Sequence, residues 1–260
     1  MPHVRVIPTL LLTDRGIVKT VGFDDPTYIG CAVNAVRVFN ANNVDELILL
    51  DIEATAEGRS PDTGRVMEIC DESLMPVAVG GGLRDVEAVR AMLACGADKV
   101  VLNTAALEVP GLVAECAAKF GSQCVVVSLD ARRVGDDFEV FTRRGSRGTG
   151  RTPREVAVDL ESQGAGEILI NSIPRDGSWE GYDLELVSSV AHTVGVPVIA
   201  LGGAGSVTDL GLAVEQAGAS AVSAGSLFVY HGRRRGILIT FPTQQELADA
   251  LGSDSVRERV

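Results

Sequence analysis

Basic residues are scarce in this sequence. Its 260 residues include 23 Lys and Arg against 35 Asp and Glu, which gives a formal net charge of −12. Proteins that bind nucleic acid need clustered Lys and Arg against the phosphates, so nucleic acid is excluded as an expected partner. No run of 18 apolar residues occurs, which excludes a predicted membrane span. The first residues also lack the apolar core of a signal peptide. We therefore expect a cytoplasmic protein.

Cysteine and histidine are sparse as well. The five cysteines are scattered, odd in number and without C-x-x-C spacing, a pattern that predicts buried, reduced thiols and disfavours a disulfide or zinc framework. The three histidines are dispersed, and His192 is expected to be structural, on the helix before the seventh strand. With no P-loop and no Ser/His/Asp arrangement either, we expect neither a metal nor a cofactor.

Short β-branched runs alternate with amphipathic helical patterns along the whole chain. This alternation is typical of βα units and a parallel sheet, and the length suits one large α/β domain. We predict a single (β/α)8 barrel, a TIM barrel, over residues 1–260. The stretch Arg132–Gly150 breaks the rhythm and predicts a small hairpin, at about 132–150, inserted after the fifth strand. The eight predicted strands are Val4–Leu10, Glu46–Asp51, Pro76–Val79, Lys99–Asn103, Cys124–Asp130, Glu167–Asn171, Pro197–Leu201 and Ser220–Ala224.

The chain also repeats internally. The segment that starts at Pro76 resembles the one that starts at Pro197, and the segment at Glu46 resembles the one at Glu167. Both pairs are separated by the same 121 residues. The barrel is therefore predicted to consist of two four-strand halves, and a site at its mouth should have approximate twofold symmetry.

Glycine clusters follow strands at matching positions of the two halves. Gly80–Gly82 follow the third strand and Gly202–Gly203 the seventh, while Asn103–Thr104 and Gly225–Ser226 follow the fourth and eighth. Glycines let the backbone approach an anion, and N–H groups at the next helix start complete the contact. One such cluster could be only a tight turn. Two at matching positions favour a ligand with anionic groups at both ends, such as a bisphosphate or a phosphorylated sugar derivative.

Eight motifs then carry a family resemblance, in register from about Arg5 to Phe228. They are Ile7–Asp14, Gly80–Gly82, Asp98–Ala106, Phe120–Gln123, Gly164–Leu169, Arg175–Gly177, Gly181–Asp183 and Gly202–Gly205. Together they resemble the cyclase subunit of imidazole glycerol phosphate synthase. The resemblance implies a barrel that uses ammonia from a separate glutaminase and binds a phosphorylated small molecule. It implies two groups of binding residues: a first anion cradle of Gly81, Gly82, Asn103 and Thr104, and a second anion cradle of Asn171, Asp176, Gly177, Gly202, Gly203, Gly225 and Ser226.

The resemblance also implies two catalytic carboxylates, at the ends of the first and fifth strands. Asp130 matches the second, but the first position is Leu11, which cannot exchange a proton. Acid–base groups of this kind contribute about 10²- to 10⁴-fold in rate. Asp14 and Lys19 keep the family's pattern in the first loop, and they are candidates to replace the missing group. The alternative for Asp130 is an ordinary carboxylate that caps a strand end.

Further departures lie at the same end of the barrel. Asn171 and Leu201 stand where the family has Thr and Ser, Pro174 replaces an Asp, and the segment His231–Pro242 also differs. This combination resembles a paralogous branch associated with amidation of bacterial surface-polysaccharide sugars. In that branch the subunit works with a glutaminase and a separate sugar amidotransferase.

Four charged residues mark the opposite end of the barrel. Arg5, Glu46, Lys99 and Glu167 match the family's ring at the N-terminal ends of strands 1, 2, 4 and 6. We call these four residues the charge ring. The resemblance implies an ammonia gate, with the glutaminase docked on this face near Asp98. The alternative is a salt-bridged plug that only fixes the geometry.

Three functions remain open from the sequence. The first is an ammonia-accepting synthase subunit, a lyase or cyclase in type, that serves amidation of a sugar derivative. The second is a histidine-pathway cyclase that forms imidazole glycerol phosphate, against which Leu11 weighs. The third is a scaffold without catalysis that binds the glutaminase and conducts ammonia to another protein.

Overall fold

A computed structural model of the chain describes residues 3–232 and 234–252. Within those ranges the strands are β1 (Arg5–Thr13), β2 (Gly16–Val21), β3 (Asp24–Gly30), β4 (Leu47–Asp51), β5 (Val77–Gly80), β6 (Lys99–Leu102), β7 (Val125–Val134), β8 (Asp137–Thr142), β9 (Arg147–Gly148), β10 (Glu167–Ser172), β11 (Val198–Leu201), β12 (Ala221–Ala224), β13 (Tyr230–His231) and β14 (Gly236–Ile237). The helices are α1 (Ala32–Ala41), α2 (Ala54–Glu57), α3 (Thr63–Glu72), α4 (Val86–Ala94), α5 (Thr104–Glu108), α6 (Leu112–Phe120), α7 (Pro153–Ser162), α8 (Leu184–Ala191), α9 (Val207–Glu215), α10 (Ser226–Val229) and α11 (Gln244–Leu251).

Eight of these strands pair in parallel and close on themselves. Their order is β10-β11-β12-β1-β4-β5-β6-β7, and β7 pairs with β10 to complete the circle. Helices follow the strands, so the predicted (β/α)8 barrel is confirmed. Each predicted strand occurs within a few residues of its expected place. The largest difference is at the fifth, where β7 continues to Val134 before its hairpin partner β8.

The barrel has two separate apolar cores. The larger core lies between the outward faces of the strands and the helices. The smaller core fills the barrel interior and receives side chains from all eight barrel strands, as is usual for this fold. Its members are Ile7, Ile48, Ala78, Val101, Val126, Leu169, Ile199, Leu201 and Ala221. This apolar interior separates the charge ring at one end from the cavity described below at the other.

Two antiparallel hairpins rise from the C-terminal ends of the strands. In the hairpin of β7 and β8, Asp130–Val134 pair with Asp137–Phe141, and β9 adds a short third strand. The hairpin of β2 and β3 was not predicted. Its second strand is exposed from Asp24 to Tyr28 and contains Pro26, so it lacks the apolar alternation that signals a strand.

The cysteines correct one expectation. All five are free thiols, but only Cys95 and Cys116 are buried; Cys70 and Cys124 are partly buried, and Cys31 is exposed at the start of α1. Among the described residues no helix has both the length and the apolar character to cross a bilayer. The sequence also predicts that the run Arg233–Arg235 forms a solvated face, and its first residue, Arg233, lies outside the described residues.

The loop after β5 gives a first testable prediction. A Cβ at Gly82 (φ 64°) would overlap the carbonyl oxygen of Arg59, whereas a Cβ at Gly135 (φ 62°) meets nothing within 4 Å. The two glycines share the same backbone strain, so only the close contact differs. We expect Gly82→Ala to lower the free energy of unfolding by about 2 kcal/mol more than Gly135→Ala. Urea unfolding of both variants measures this difference. Equal losses of unfolding free energy would contradict the close packing of the loop that contains Gly82 against the loop that contains Arg59.

Candidate functional site

A cavity of about 370 Å³ opens at the C-terminal ends of the barrel strands. Its floor is formed by strand-end side chains and its walls by the loops after the strands. The strand register sets the arrangement of the floor. Leu11 pairs with Leu50 between β1 and β4, and Asn171 pairs with both Asp130 and Leu201. All five side chains line the cavity.

Asp130 is the carboxylate on this floor, and two amides hold it. Nδ2 of Asn171 donates to Oδ1 at 3.1 Å, and Nδ2 of Asn103 donates to Oδ2 at 3.2 Å. Burial raises the pKa of Asp130 to about 7, the hydrogen bond from Asn171 lowers it, and the negative charge of Asp176 raises it further. A carboxyl group that titrates near neutral pH can both give and take a proton, so it suits general acid–base chemistry.

The first strand offers no such group to the cavity. Leu11 lies on the floor together with Leu50 and Leu201. Three leucines, one each from β1, β4 and β11, therefore line the site, and one of them stands where the family resemblance leads us to expect a second carboxylate. This arrangement leaves Asp130 without an acid–base partner on β1.

Lys19 and Asp14 lie at different depths of the first loop. Lys19 lines the cavity and is only 5% exposed; its Nζ contacts Oδ1 of Asp176 at 2.7 Å. Burial lowers the pKa of Lys19 below its ordinary value, and Asp176 opposes that shift. Asp14, by contrast, is not among the cavity-lining residues. Its side chain is 81% exposed and pairs with Arg59 at 3.5 Å.

Asp176 joins the β2–β3 hairpin to the loop after β10. Its carboxylate also accepts from Oγ1 of Thr20 at 2.8 Å, and its carbonyl oxygen accepts from the backbone N–H of Gly22 at 2.8 Å. The tip of the same hairpin contacts the β8–β9 loop, since Nη2 of Arg144 donates to the carbonyl oxygen of Phe23 at 2.9 Å. The hairpin is thus tied down over the cavity on two sides.

All four residues of the first anion cradle line the cavity. Several of their polar groups have protein partners. The backbone N–H of Gly82 donates to Oγ1 of Thr55 at 3.2 Å, and Oγ1 of Thr104 accepts from the backbone N–H of Arg143 at 3.0 Å. The amide of Asn103 is directed to Asp130 and to the carbonyl oxygen of Ser128. Asn103 therefore positions the carboxylate, a role that strand-end placement alone did not reveal.

The second anion cradle is only partly exposed to the cavity. Asn171, Asp176 and Gly225 line it. Gly177, Gly202, Gly203 and Ser226 are buried and are not among its lining residues. Two side-chain oxygens here, Oδ1 of Asn171 and Oγ of Ser226, have no hydrogen-bond partner among the described residues. Buried polar atoms without partners are costly, so both are candidates to receive a ligand group.

The charge ring at the other end forms a closed cycle of ion pairs. Arg5 contacts Glu46 at 2.5 Å and Glu167 at 3.0 Å, while Lys99 contacts Glu46 at 2.9 Å and Glu167 at 2.8 Å. Each cation therefore bridges both carboxylates. The Glu46 side chain is only 3% exposed, and a buried charge of this kind is tolerated only when it is fully paired.

Sequence reasoning missed a set of arginines at the mouth of the cavity. Arg59, Arg84, Arg143 and Arg144 all line it. The only indication in the sequence was that each arginine follows a strand whose predicted C-terminal end lies at the mouth. Arg59 also pairs with Glu57 and lies beside the one acidic cluster found among the described residues, Asp14, Glu53 and Glu57, whose carboxylates approach within 4.8 Å. Because Arg59 neutralises two of the three, we assign no metal to this cluster.

The fold and this mouth define a (β/α)8 barrel with a carboxylate, Asp130, held by two amides at one end and a closed ring of charges at the other. Residues 5–234 match the family described as "Histidine biosynthesis protein". A Pseudomonas aeruginosa protein, provisionally named imidazole glycerol phosphate synthase subunit hisF2, is 48% identical over 95% of this chain and 99% of its own length. The subunit HisF of the same synthase from Hyphomonas neptunium is 48% identical over 88% of this chain and 90% of its own.

A third relative, from Vibrio vulnificus and provisionally named subunit hisF3, is 40% identical over 96% of this chain and 97% of its own length. These matches cover nearly the whole chain in both directions. The chain belongs to the family of cyclase subunits of imidazole glycerol phosphate synthase, as the sequence motifs predicted.

The raised pKa of Asp130 generates a prediction on stability. The folded-state pKa lies above the unfolded value, so the native protein binds the extra proton, and stability falls as the pH rises from about 4 to about 7. Asp130→Asn removes this dependence. We expect the variant to gain about 2 kcal/mol in free energy of unfolding over the wild type between pH 5 and pH 8.

Denaturant unfolding at both pH values measures the gain, and Asp71→Asn, at an exposed position on α3, controls for the loss of one charge. A constant difference between Asp130→Asn and the wild type at the two pH values would contradict a carboxyl group that titrates near neutral pH.

Proposed function

We propose that this chain takes up ammonia from a glutaminase docked on its N-terminal face and serves the amidation of a sugar derivative in surface-polysaccharide biosynthesis. The observation that carries the proposal is the combination of a complete charge ring with an incomplete acid–base pair. The ring residues are all present and fully paired. Leu11 meanwhile leaves Asp130 without a partner carboxylate on β1.

The barrel interior suits the passage of a small neutral molecule. Its lining between the charge ring and the cavity includes the aliphatic cluster described above. Transfer of a charged group into such surroundings costs far more free energy than transfer of a neutral one, so the interior favours NH3 over ammonium. The charge ring acts as the gate: when one cation leaves a carboxylate, the other cation still contacts it.

The cavity is the site of the phosphorylated ligand. Asp130 acts as the general acid or base, and Lys19, held by Asp176, lines the same cavity. We retain both anion cradles as the phosphate contacts, with the second completed when the β2–β3 hairpin moves, because that hairpin covers Gly177. Asp14 is left out of the acid–base proposal since it is exposed and outside the cavity.

Two other functions have specific support. The 48% identical relative from Hyphomonas neptunium, named simply as subunit HisF, favours a histidine-pathway cyclase. The three leucines that line the site favour a scaffold that conducts ammonia to a separate sugar amidotransferase. The genes beside this one discriminate the pathways, since a histidine operon would contradict sugar amidation.

The glutaminase partnership can be tested directly. We expect this chain to co-purify with the glutaminase encoded beside it and to raise glutamine hydrolysis on the order of tenfold, a usual size for coupling between subunits. Asp98→Asn, on the proposed docking face, should weaken the activation. Asp136→Asn makes the same chemical change in the turn between β7 and β8, at the opposite end of the barrel, and should not. Absence of both complex and activation would refute the partnership.

A cyclase assay tests the acceptor. We expect the purified chain, supplied with ammonium salt and the formimino carboxamide substrate of the histidine pathway, to turn over at a negligible rate. Leu11→Asp should raise the rate by about 10²-fold, equivalent to about 2.7 kcal/mol of barrier. Leu11→Asp combined with Asp130→Asn should lose that gain. Full activity of the wild type would establish the histidine-pathway cyclase in place of our proposal.

A further inference from the structure

The charges around the cavity are unlike those of the whole chain. The chain carries a net charge of −12, yet the cavity lining holds five cations and four carboxylates. The cations are Lys19, Arg59, Arg84, Arg143 and Arg144, and the carboxylates are Asp51, Glu108, Asp130 and Asp176. A locally positive mouth on an acidic protein concentrates anions at that place.

Three of the five cations are neutralised by carboxylates. Arg59 contacts Asp51 at 2.5 Å, and Arg143 contacts Glu108 at 2.6 Å. Lys19 is paired with Asp176, as described above. Their charges are therefore committed to holding the loops together, and they leave little potential for a ligand.

The other two cations, Arg84 and Arg144, make no ion pair within the described part of the chain. Arg144 donates only to the neutral carbonyl oxygen of Phe23, which fixes the direction of its guanidinium. Arg84 extends from the loop after β5 toward the loop after α2, where its Nη1 lies 3.7 Å from the position of a Cβ on Gly58. Both guanidiniums keep donors free for an anion.

These two arginines flank the first anion cradle. Arg84 comes two residues after Gly82, and Arg144 follows Arg143, whose backbone N–H donates to Thr104. Gly82 and Thr104 line the same cavity as both arginines. An anion held between Gly82 and Thr104 would therefore share the cavity with both guanidiniums.

The backbone conformation at Arg144 favours a functional side chain over one that is only solvated. Arg143 and Arg144 both adopt the left-handed conformation, with φ of 52° and 57°. This region costs side-chain-bearing residues about 1–2 kcal/mol each, and Gly, Asn or Asp is usual there. Two consecutive arginines thus occupy this turn against the local preference of the backbone, and both line the cavity.

We propose that Arg84 and Arg144 form a subsite for a second anionic group next to the first anion cradle. The ligand at this end would then carry two adjoining anionic groups: a diphosphate, or a phosphate with a neighbouring carboxylate. This inference rests on the proposed function, since it takes the first anion cradle as a phosphate contact. It defines the ligand more narrowly, because a single phosphate would leave the two guanidiniums unused.

Titration calorimetry at low salt, without divalent cations, tests the subsite with three probes: inorganic phosphate, pyrophosphate and 2-phosphoglycolate. We expect the wild type to bind pyrophosphate or phosphoglycolate at least about tenfold more tightly than phosphate, since charge-assisted hydrogen bonds are the strong ones. The tighter of the two probes identifies the second group as phosphate or carboxylate.

Variants distinguish binding at the proposed subsite from binding at the first anion cradle. Arg84→Gln with Arg144→Gln should remove the preference for the larger probes and lower phosphate affinity by a much smaller factor, while Gln keeps the backbone strain at residue 144 as it is. Arg154→Gln is the matched control, since Arg154 is exposed, makes no ion pair among the described residues and lies outside the cavity. Thermal unfolding of each variant establishes that it is folded.

The outcomes distinguish the two proposals. If phosphate binds but neither larger probe binds more tightly, or if the double variant keeps the preference, the subsite is refuted and the first anion cradle stands. If none of the three probes binds the wild type, both the cradle and the subsite are refuted.

Discussion

The pairing of β7 with β10 is the constraint on which the rest of this protein depends. It is the contact that turns an open sheet into a barrel, and its register runs from Glu167 opposite Val126 to Ser172 opposite Ala131. The same register sets Asn171 beside Asp130 at the mouth and Glu167 at the start of its strand, in the charge ring. A slip by one residue would turn every side chain of β10 to the other face. The ring and the site would be lost together, so one set of backbone hydrogen bonds fixes both ends of the barrel.

The charged groups of the ring and of the cavity are held by ion pairs. In the ring, two cations and two carboxylates satisfy one another in a closed cycle. In the cavity, Lys19 and Asp176 join two loops that are 157 residues apart. Asp130 is the exception, because two amides hold it, leucines line its cavity and no cation of the described residues forms an ion pair with it. Its proton affinity is therefore set by burial, and the departures from the family at Leu11, Asn171 and Leu201 all contribute to those surroundings.

The sequence predicted the barrel well because the β-branched runs mark each strand and the 121-residue repeat relates the two halves. The family resemblance, and not the local pattern of charge, pointed to the four residues of the charge ring. The direction of individual side chains could not be predicted from the sequence. Asn103 follows a strand, as a ligand contact would, yet its amide is directed at Asp130. The hairpin of β2 and β3 was missed because its exposed strand has no apolar period, and Asp14 could be distinguished from Lys19 only by their depth in the folded loop.

The charge ring bears on how such a barrel can have originated. Its two carboxylates, Glu46 and Glu167, are equivalent under the 121-residue repeat, but its cations are not: the positions equivalent to Arg5 and Lys99 are Val126 and Ser220. Two copies of the first half would bring four cations to two carboxylates, and two copies of the second half would bring two carboxylates and no cation. Neither symmetric ancestor could have had a neutral ring. This cycle of ion pairs requires two halves that had already diverged, so in the history of the fold it is younger than the barrel that contains it.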